Sequence, residues 1–273
     1  MPTIVDRDAT VALLRAELAA IGALCAGFDE DAWATPTGLP GWTVKDVLAH
    51  VVGTESMLLG HASPDVDASH LPHVKNPIGA ANESWVESMR PLAGSEVLAR
   101  FRAVTTERLA ALDAMTQADF DAPSWTPAGP DETYGRFMRI RHYDCFLHED
   151  DIRQALGLPE RADPDHVEAA LDEVAAALGF IAGKKAQLPA GSRVRLRLTG
   201  PVDRTYLISV TDRARVVDEL DGEPTVGLEL PAMLFLRLTG GREDAGPHLG
   251  ADVALEGDTD LARQLGTHLA YTI

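Results

Sequence analysis

Sulfur and positive charge are both scarce in this chain. Its 273 residues include two cysteines, Cys25 and Cys145, too few for a disulfide framework or a cysteine-rich zinc site. Any thiol chemistry must use them singly or draw on a small-molecule thiol. Lys and Arg number 24 against 42 Asp and Glu, for a formal net charge of -18. Phosphate binding needs a basic face and no Lys/Arg cluster supplies one, so the composition argues against a nucleic-acid partner. The opening residues Met1-Pro2-Thr3-Ile4-Val5-Asp6 lack a basic region followed by an apolar core, and the later apolar runs read as too short to span a bilayer. Neither secretion nor membrane insertion is expected, and the setting is read as cytoplasmic. A G-x-S-x-G elbow, a phosphate-cradling glycine loop and a dinucleotide fingerprint are all missing from the sequence. What is present is 45% apolar residues, enough to fill one large core or two modest ones. Abundant alanine, with arginine exceeding lysine, fits a GC-rich bacterial genome.

Hydrophobic spacing divides the chain. Val11, Leu14, Leu18, Ile21, Leu24 and Cys25 recur mostly at three- and four-residue steps, predicting a helix from Asp8 to Phe28 with Asp8 as its N-cap. The turn-rich stretch 35–42 precedes Thr43, an N-cap with Asp46 three residues on, and a second helix is predicted from Val44 to about Gly60. Residues 61–77 read as a long loop, and helices follow at 80–89 and 95–115. Residues 116–131, with Pro123, Pro127 and Pro130, read as another loop. A helix over 134–156 ends at Gly157, and one more runs from Pro164 to about Lys185. Period-two alternation then predicts strands at 193–199 and 205–211, with further strands at 224–228 and 252–255 and helices at 231–238 and 258–270. The expected fold class is α+β: an up-and-down four-helix bundle over 1–190 and a small α+β domain over 191–273.

The candidate chemistry sits on two of these helices. Asp144 and His148 are one helical turn apart and point the same way, and His50 lies on or beside the buried stripe of the second helix. Three such ligands can close on a small cation and leave one position open, the mark of a catalytic divalent site. Taken alone, each is more ordinary: His50 as a hydrogen-bonded helix histidine, Asp144 and His148 as an exposed pair. The apolar neighbours Phe137, Ile140, Cys145, Phe146 and Leu147 favour the metal, because a buried carboxylate without a charge partner is costly. Asp151 could orient a ligand ring or pair with Arg153. His142 falls on another face. The run Glu149-Asp150-Asp151 reads partly as a solvated face, and Cys25 and Cys145 as packed core thiols.

The segments Leu39-Pro40-Gly41-Trp42-Thr43-Val44-Lys45-Asp46-Val47-Leu48-Ala49-His50 and His148-Glu149-Asp150-Asp151-Ile152-Arg153-Gln154-Ala155-Leu156-Gly157-Leu158-Pro159 resemble the mycothiol-dependent maleylpyruvate isomerase family, a branch of the DinB-like metal-binding bundles. Leu255-Glu256-Gly257-Asp258 resembles that family's small C-terminal domain. The resemblance implies His50, Asp144 and His148 as ligands of a divalent metal, zinc in expectation, with mycothiol as thiol cosubstrate. The family usually has glutamate where Asp144 stands, so the metal must sit nearer that helix or be held through water. The implied activity is thiol-dependent isomerisation or S-transfer on a small electrophilic, maleylpyruvate-like acid. A thiolate adds to the activated double bond, rotation follows, and the thiolate leaves; in a transferase the adduct stays. Arg242 is the candidate to hold substrate carboxylates, with Arg141 its helix-borne rival. Metal-dependent hydrolysis and ligand binding without catalysis are the alternatives.

Overall fold

Apolar residues at helical spacing build the first of two units into which the chain divides, Met1–Arg161 and Ala162–Ile273. The structure is a computed structural model and describes residues 2–272. In the first unit the helices are α1 (Arg7–Leu24), α2 (Glu30–Ala34), α3 (Val44–Leu58), α4 (Pro77–Met89), α5 (Gly94–Ala114), α6 (Gln117–Asp121) and α7 (Tyr134–Ala155). Strands β1 (Pro123–Thr126) and β2 (Gly129–Thr133) form an antiparallel hairpin between α6 and α7. The four long helices close a ring in which α1 and α3 each pack against α5 and α7. Leu18, Ile21, Val47, Leu48, Val51, Phe101, Cys145 and Ile152 fill its centre. Fully burying one Leu, Ile or Phe side chain contributes about 1.5–3 kcal/mol.

Helix α3 is enclosed on nearly all sides, with every residue from Asp46 to Ser56 buried. Its start is fixed by the expected capping box, in which the Thr43 hydroxyl accepts from the Asp46 N–H and the Asp46 carboxylate accepts from the Thr43 N–H at 2.8 Å. It also packs against α4, where Gly53 lies so near Trp85 that an added Cβ would sit 2.4 Å from the Trp85 Cβ.

Several expectations shift. The N-cap of α1 is Asp6, which accepts from the Ala9 N–H at 2.8 Å, and not Asp8. The stretch read as a loop over 116–131 contains α6 and the hairpin, and α6 starts at its own capping box of Thr116 and Asp119. No run long enough to span a bilayer is expected, yet Arg7–Gly27 is long and apolar enough to do so by length and composition alone. Here it forms a bundle helix whose central Glu17 is buried against Arg161 at 2.8 Å.

The second unit comprises α8 (Pro164–Ala175), α9 (Leu178–Phe180), a π-helical turn (Ile181–Lys185), β3 (Arg193–Thr199), β4 (Arg204–Val210), β5 (Ala214–Val217), β6 (Val226–Pro231), α10 (Ala232–Thr239), β7 (Ala254–Gly257) and α11 (Thr259–Thr267). Its sheet has the order β5-β4-β3-β6-β7, parallel between β3 and β6 and antiparallel elsewhere. Val194, Leu196 and Leu198 are buried on one face while Arg193, Arg195 and Arg197 alternate to the other. The single helix expected from Pro164 to Lys185 is broken after Ala175. The division between units also lies at Arg161, earlier than the change of texture near Gly191. Helix α8 looks like a bundle helix in sequence but packs against α10, and the Tyr206 hydroxyl donates to the Leu171 carbonyl at 3.2 Å.

Candidate metal centre

Helices α3 and α7 bring His50, Asp144 and His148 together, with one donor atom from each within 4.8 Å of the others. His50 Nε2 is 3.4 Å from Asp144 Oδ2, and His148 Nε2 is 3.5 Å from Asp144 Oδ1. Ligand atoms of tetrahedral zinc, with bonds of about 2.0–2.2 Å, lie about 3.3–3.6 Å apart, so each imidazole stands at a ligand-to-ligand distance from one of the two carboxylate oxygens. Among the described residues the buried Nδ1 of His50 has no hydrogen-bond partner. His148 Nδ1 lies 2.9 Å from Asp151 Oδ2. Without an ion Nε2–H can donate to Asp144; with one, the proton would stay on Nδ1, donated to Asp151, and leave the Nε2 lone pair to the centre, an arrangement that fixes tautomer and ring angle in metal sites. The donor set therefore fits a divalent cation.

Charge is finely divided around the three groups. Burial lowers the His50 pKa and the nearby Asp144 only partly opposes it, so this ring is held neutral. Burial acts the same way on His148, but Asp144 and Asp151 outweigh it and raise the value. Burial pushes Asp144 upward, yet the charges of His148 and Arg141 and the hydrogen bonds from both imidazoles hold its carboxyl well below the usual range. Its side chain is 31% exposed while those of His50 and His148 are 5% and 6% exposed, so the carboxylate marks the solvent side of the centre.

Asp144 does have a charge partner within the protein. Arg141 Nη1 donates to Asp144 Oδ2 at 2.5 Å, while its Nε and Nη2 donate to Glu55 Oε1 at 3.0 and 2.9 Å. With Arg141 as its partner the Asp144 carboxylate needs no metal to offset burial, and it is the spacing of the three donors that favours an ion. Arg141 is buried and committed to these partners, which removes it as a rival for substrate. Arg242 follows α10 in the second unit, partly exposed, with Nη1 donating to the Gly240 carbonyl at 2.7 Å.

The run Glu149-Asp150-Asp151 is not a solvated face, because all three residues are buried. Glu149 accepts from Arg153 at 2.8 Å and from Arg161 at 2.9 Å, and Asp151 is engaged by His148. Both cysteines are core thiols. Burial pushes Cys25 up to about 12 and Cys145 well above the ordinary thiol value, so neither supplies a thiolate near neutral pH.

One contributor went unassigned from the sequence. The Trp42 ring lies 5.2 Å from the His50 ring and 6.0 Å from the His148 ring, roofing both imidazoles. Its indole N–H donates to Glu83 at 2.7 Å, and Glu83 is also 3.2 Å from Arg90 and from His73. Just before it, Gly41 adopts φ +82 with the His73 ring against its Cα, where a Cβ would come within 2.9 Å. A signal was available, since Trp42 immediately precedes the N-cap of the helix that carries His50.

Fold and site together define a class: a four-helix bundle with a His-Asp-His cluster between two of its helices, followed by a small α+β unit. Residues 14–153 match the Mycothiol maleylpyruvate isomerase N-terminal domain, and residues 168–264 match the MDMPI C-terminal domain. The chain belongs to the mycothiol maleylpyruvate isomerase family. It is similar to the uncharacterized proteins Rv0036c and MT0041 of two Mycobacterium tuberculosis strains, each 28% identical over 155 residues. That match spans 56% of this chain and 58% of each relative. Two crystal structures of the mycothiol-dependent maleylpyruvate isomerase, one of a histidine-to-alanine variant, share the fold with a TM-score of 0.61 at 17% identity. The likeness covers 92% of this chain and 93% of theirs.

Proposed function

We propose that this protein is a metal-dependent enzyme that uses a low-molecular-weight thiol, mycothiol by family, for isomerisation or S-transfer on a small electrophilic acid of the maleylpyruvate type. The convergence of His50, Asp144 and His148 within 4.8 Å carries the reading. These three side chains would hold the ion, zinc being the best match to two imidazoles and a carboxylate. A divalent ion with an open position supplies the means to lower a thiol's pKa and keep it as thiolate near neutral pH.

The protein's own residues prepare that position. Neutral His50 offers a lone pair, Asp151 fixes the His148 tautomer, and Trp42 shields both rings from water. An external thiol is needed because Cys25 and Cys145 are buried and held protonated. Arg242 is assigned to the substrate carboxylate, where a guanidinium fork recognises two oxygens at once. A reducing cytoplasm suits this chemistry.

The test is elemental analysis of the protein from its native host, paired with thiol-dependent turnover in wild type and His148→Ala. Metal and activity should disappear together in the variant. Full thiol-dependent activity in metal-free His148→Ala would reject the proposal. Replacing Arg242 with Met should raise KM for the acid while leaving metal content unchanged.

A further inference from the structure

We infer that Arg141 is a positioning residue that ties up one oxygen of Asp144 and so preserves the coordination position a thiol requires. The inference rests on the metal reading above and adds to it how the open position is maintained. Arg141 Nη1 donates to Asp144 Oδ2 at 2.5 Å, the oxygen that also lies 3.4 Å from His50 Nε2, whereas Oδ1 is the oxygen 3.5 Å from His148 Nε2. A carboxylate can bind a cation through one oxygen or two. A charge-assisted bond from a guanidinium is strong enough to reserve an oxygen, provided the guanidinium itself cannot turn away.

Arg141 cannot readily turn away. Its Nε and Nη2 are both bound to Glu55 Oε1, and Glu55 Oε2 accepts from Arg108 Nε at 3.1 Å. Arg108 is in turn fixed by donating to the Tyr134 hydroxyl at 2.5 Å. Side-chain exposures of 3–4% for Arg108, Glu55 and Arg141 leave no solvent to compete. Three helices thus aim one N–H at one oxygen: α5 through Arg108, α3 through Glu55 and α7 through Arg141. Merely neutralising Asp144 would not require a guanidinium held on two sides. Such a clamp suits a carboxylate that has to present a single oxygen.

The test uses cobalt(II)-loaded protein titrated with N-acetylcysteine. The visible cobalt bands report coordination number, and the near-ultraviolet sulfur-to-cobalt charge-transfer band reports thiol binding. Wild type should bind one cobalt and develop the charge-transfer band; failure here sinks the metal reading itself. Arg141→Met should keep its cobalt, show weaker visible bands as Asp144 engages through both oxygens, and bind the thiol about 10- to 100-fold more weakly. Arg141→Lys, which keeps a charge beside Oδ2, should recover most of that affinity. Arg108→Met/Glu55→Leu/Arg141→Met serves if the single variant does not fold, because it removes all three buried charges together. A folded variant with wild-type bands and wild-type thiol affinity, or one that loses cobalt altogether, overturns the role assigned to Arg141 while leaving the wild-type metal reading intact.

Discussion

Replacing Glu55 with Gln changes one atom type and almost no volume, yet it should be among the most damaging substitutions in the first unit. The Glu55 carboxylate accepts from Arg108 at 3.1 Å and from Arg141 at 3.0 and 2.9 Å, with every side chain involved nearly inaccessible to solvent. In Glu55→Gln, Arg108 is left with the Tyr134 hydroxyl and the Met138 sulfur, neither of which carries charge. The amide also turns an N–H group towards a guanidinium that has only N–H groups to offer. Removing one member of a buried ion pair costs about 3–5 kcal/mol, because the surviving charge stays desolvated. At about 2–4 °C per kcal/mol for a domain of this size, the expected loss is about 6–20 °C in Tm. Urea unfolding followed by circular dichroism should show a lower midpoint at unchanged slope. The companion variant Arg108→Met/Glu55→Leu/Arg141→Met removes all three charges, and its fold should be as stable as wild type or more so by about 1–4 kcal/mol. A cost below about 1 kcal/mol in folded Glu55→Gln, the scale of an exposed pair, would refute the claim that this network is shielded from water.

Three further outcomes are expected. Asp151→Asn should weaken metal binding by about 10- to 100-fold through loss of the His148 orienting bond, measured by competition with a chromophoric chelator. Gly53→Val should destabilise by about 1–3 kcal/mol in calorimetry, since the added Cβ meets the Trp85 Cβ at 2.4 Å and helix propensity offsets little of that. His248 should titrate above the ordinary imidazole range, because the hydrogen bonds it donates to Asp252 and Glu243 outweigh its slight burial. The sign follows from the raised folded value: this contribution to stability is complete below the unfolded pKa and is lost as pH rises through the folded one. Proton NMR of the ring would check the direction, and a His248 pKa at or below the model-peptide value would exclude it.

What could be read from the sequence was mostly local. The Thr43–Asp46 box announced α3, and the i,i+4 spacing of Asp144 and His148 announced their shared face, because each depends on residues within one helical turn. The loop expected at 116–131 failed for a different reason. Three prolines masked a hairpin whose own turn is short, although Thr116 and Asp119 already carried the signature of α6. The Arg108–Glu55–Arg141 relay left no local trace, since its members come from three helices and meet only after packing. Likewise the acidic run 149–151 looked wet until the structure supplied Arg153, Arg161 and His148 as partners. Nothing local marks the end of α8, since Ala175-Ala176-Ala177 contains no helix breaker, and packing against α10 decides its allegiance.

The enclosure of α3 has a kinetic corollary. A segment with hardly any wet side cannot shed its backbone hydrogen bonds a few at a time; its amides must await an opening that dismantles the whole bundle, and should be the slowest in the protein to exchange with deuterium. His50 is anchored in that slowest layer, whereas the Trp42 roof hangs on the turn preceding it. Displacing the Trp42 ring from the two imidazoles would then need only that turn to move, without the bundle's centre loosening.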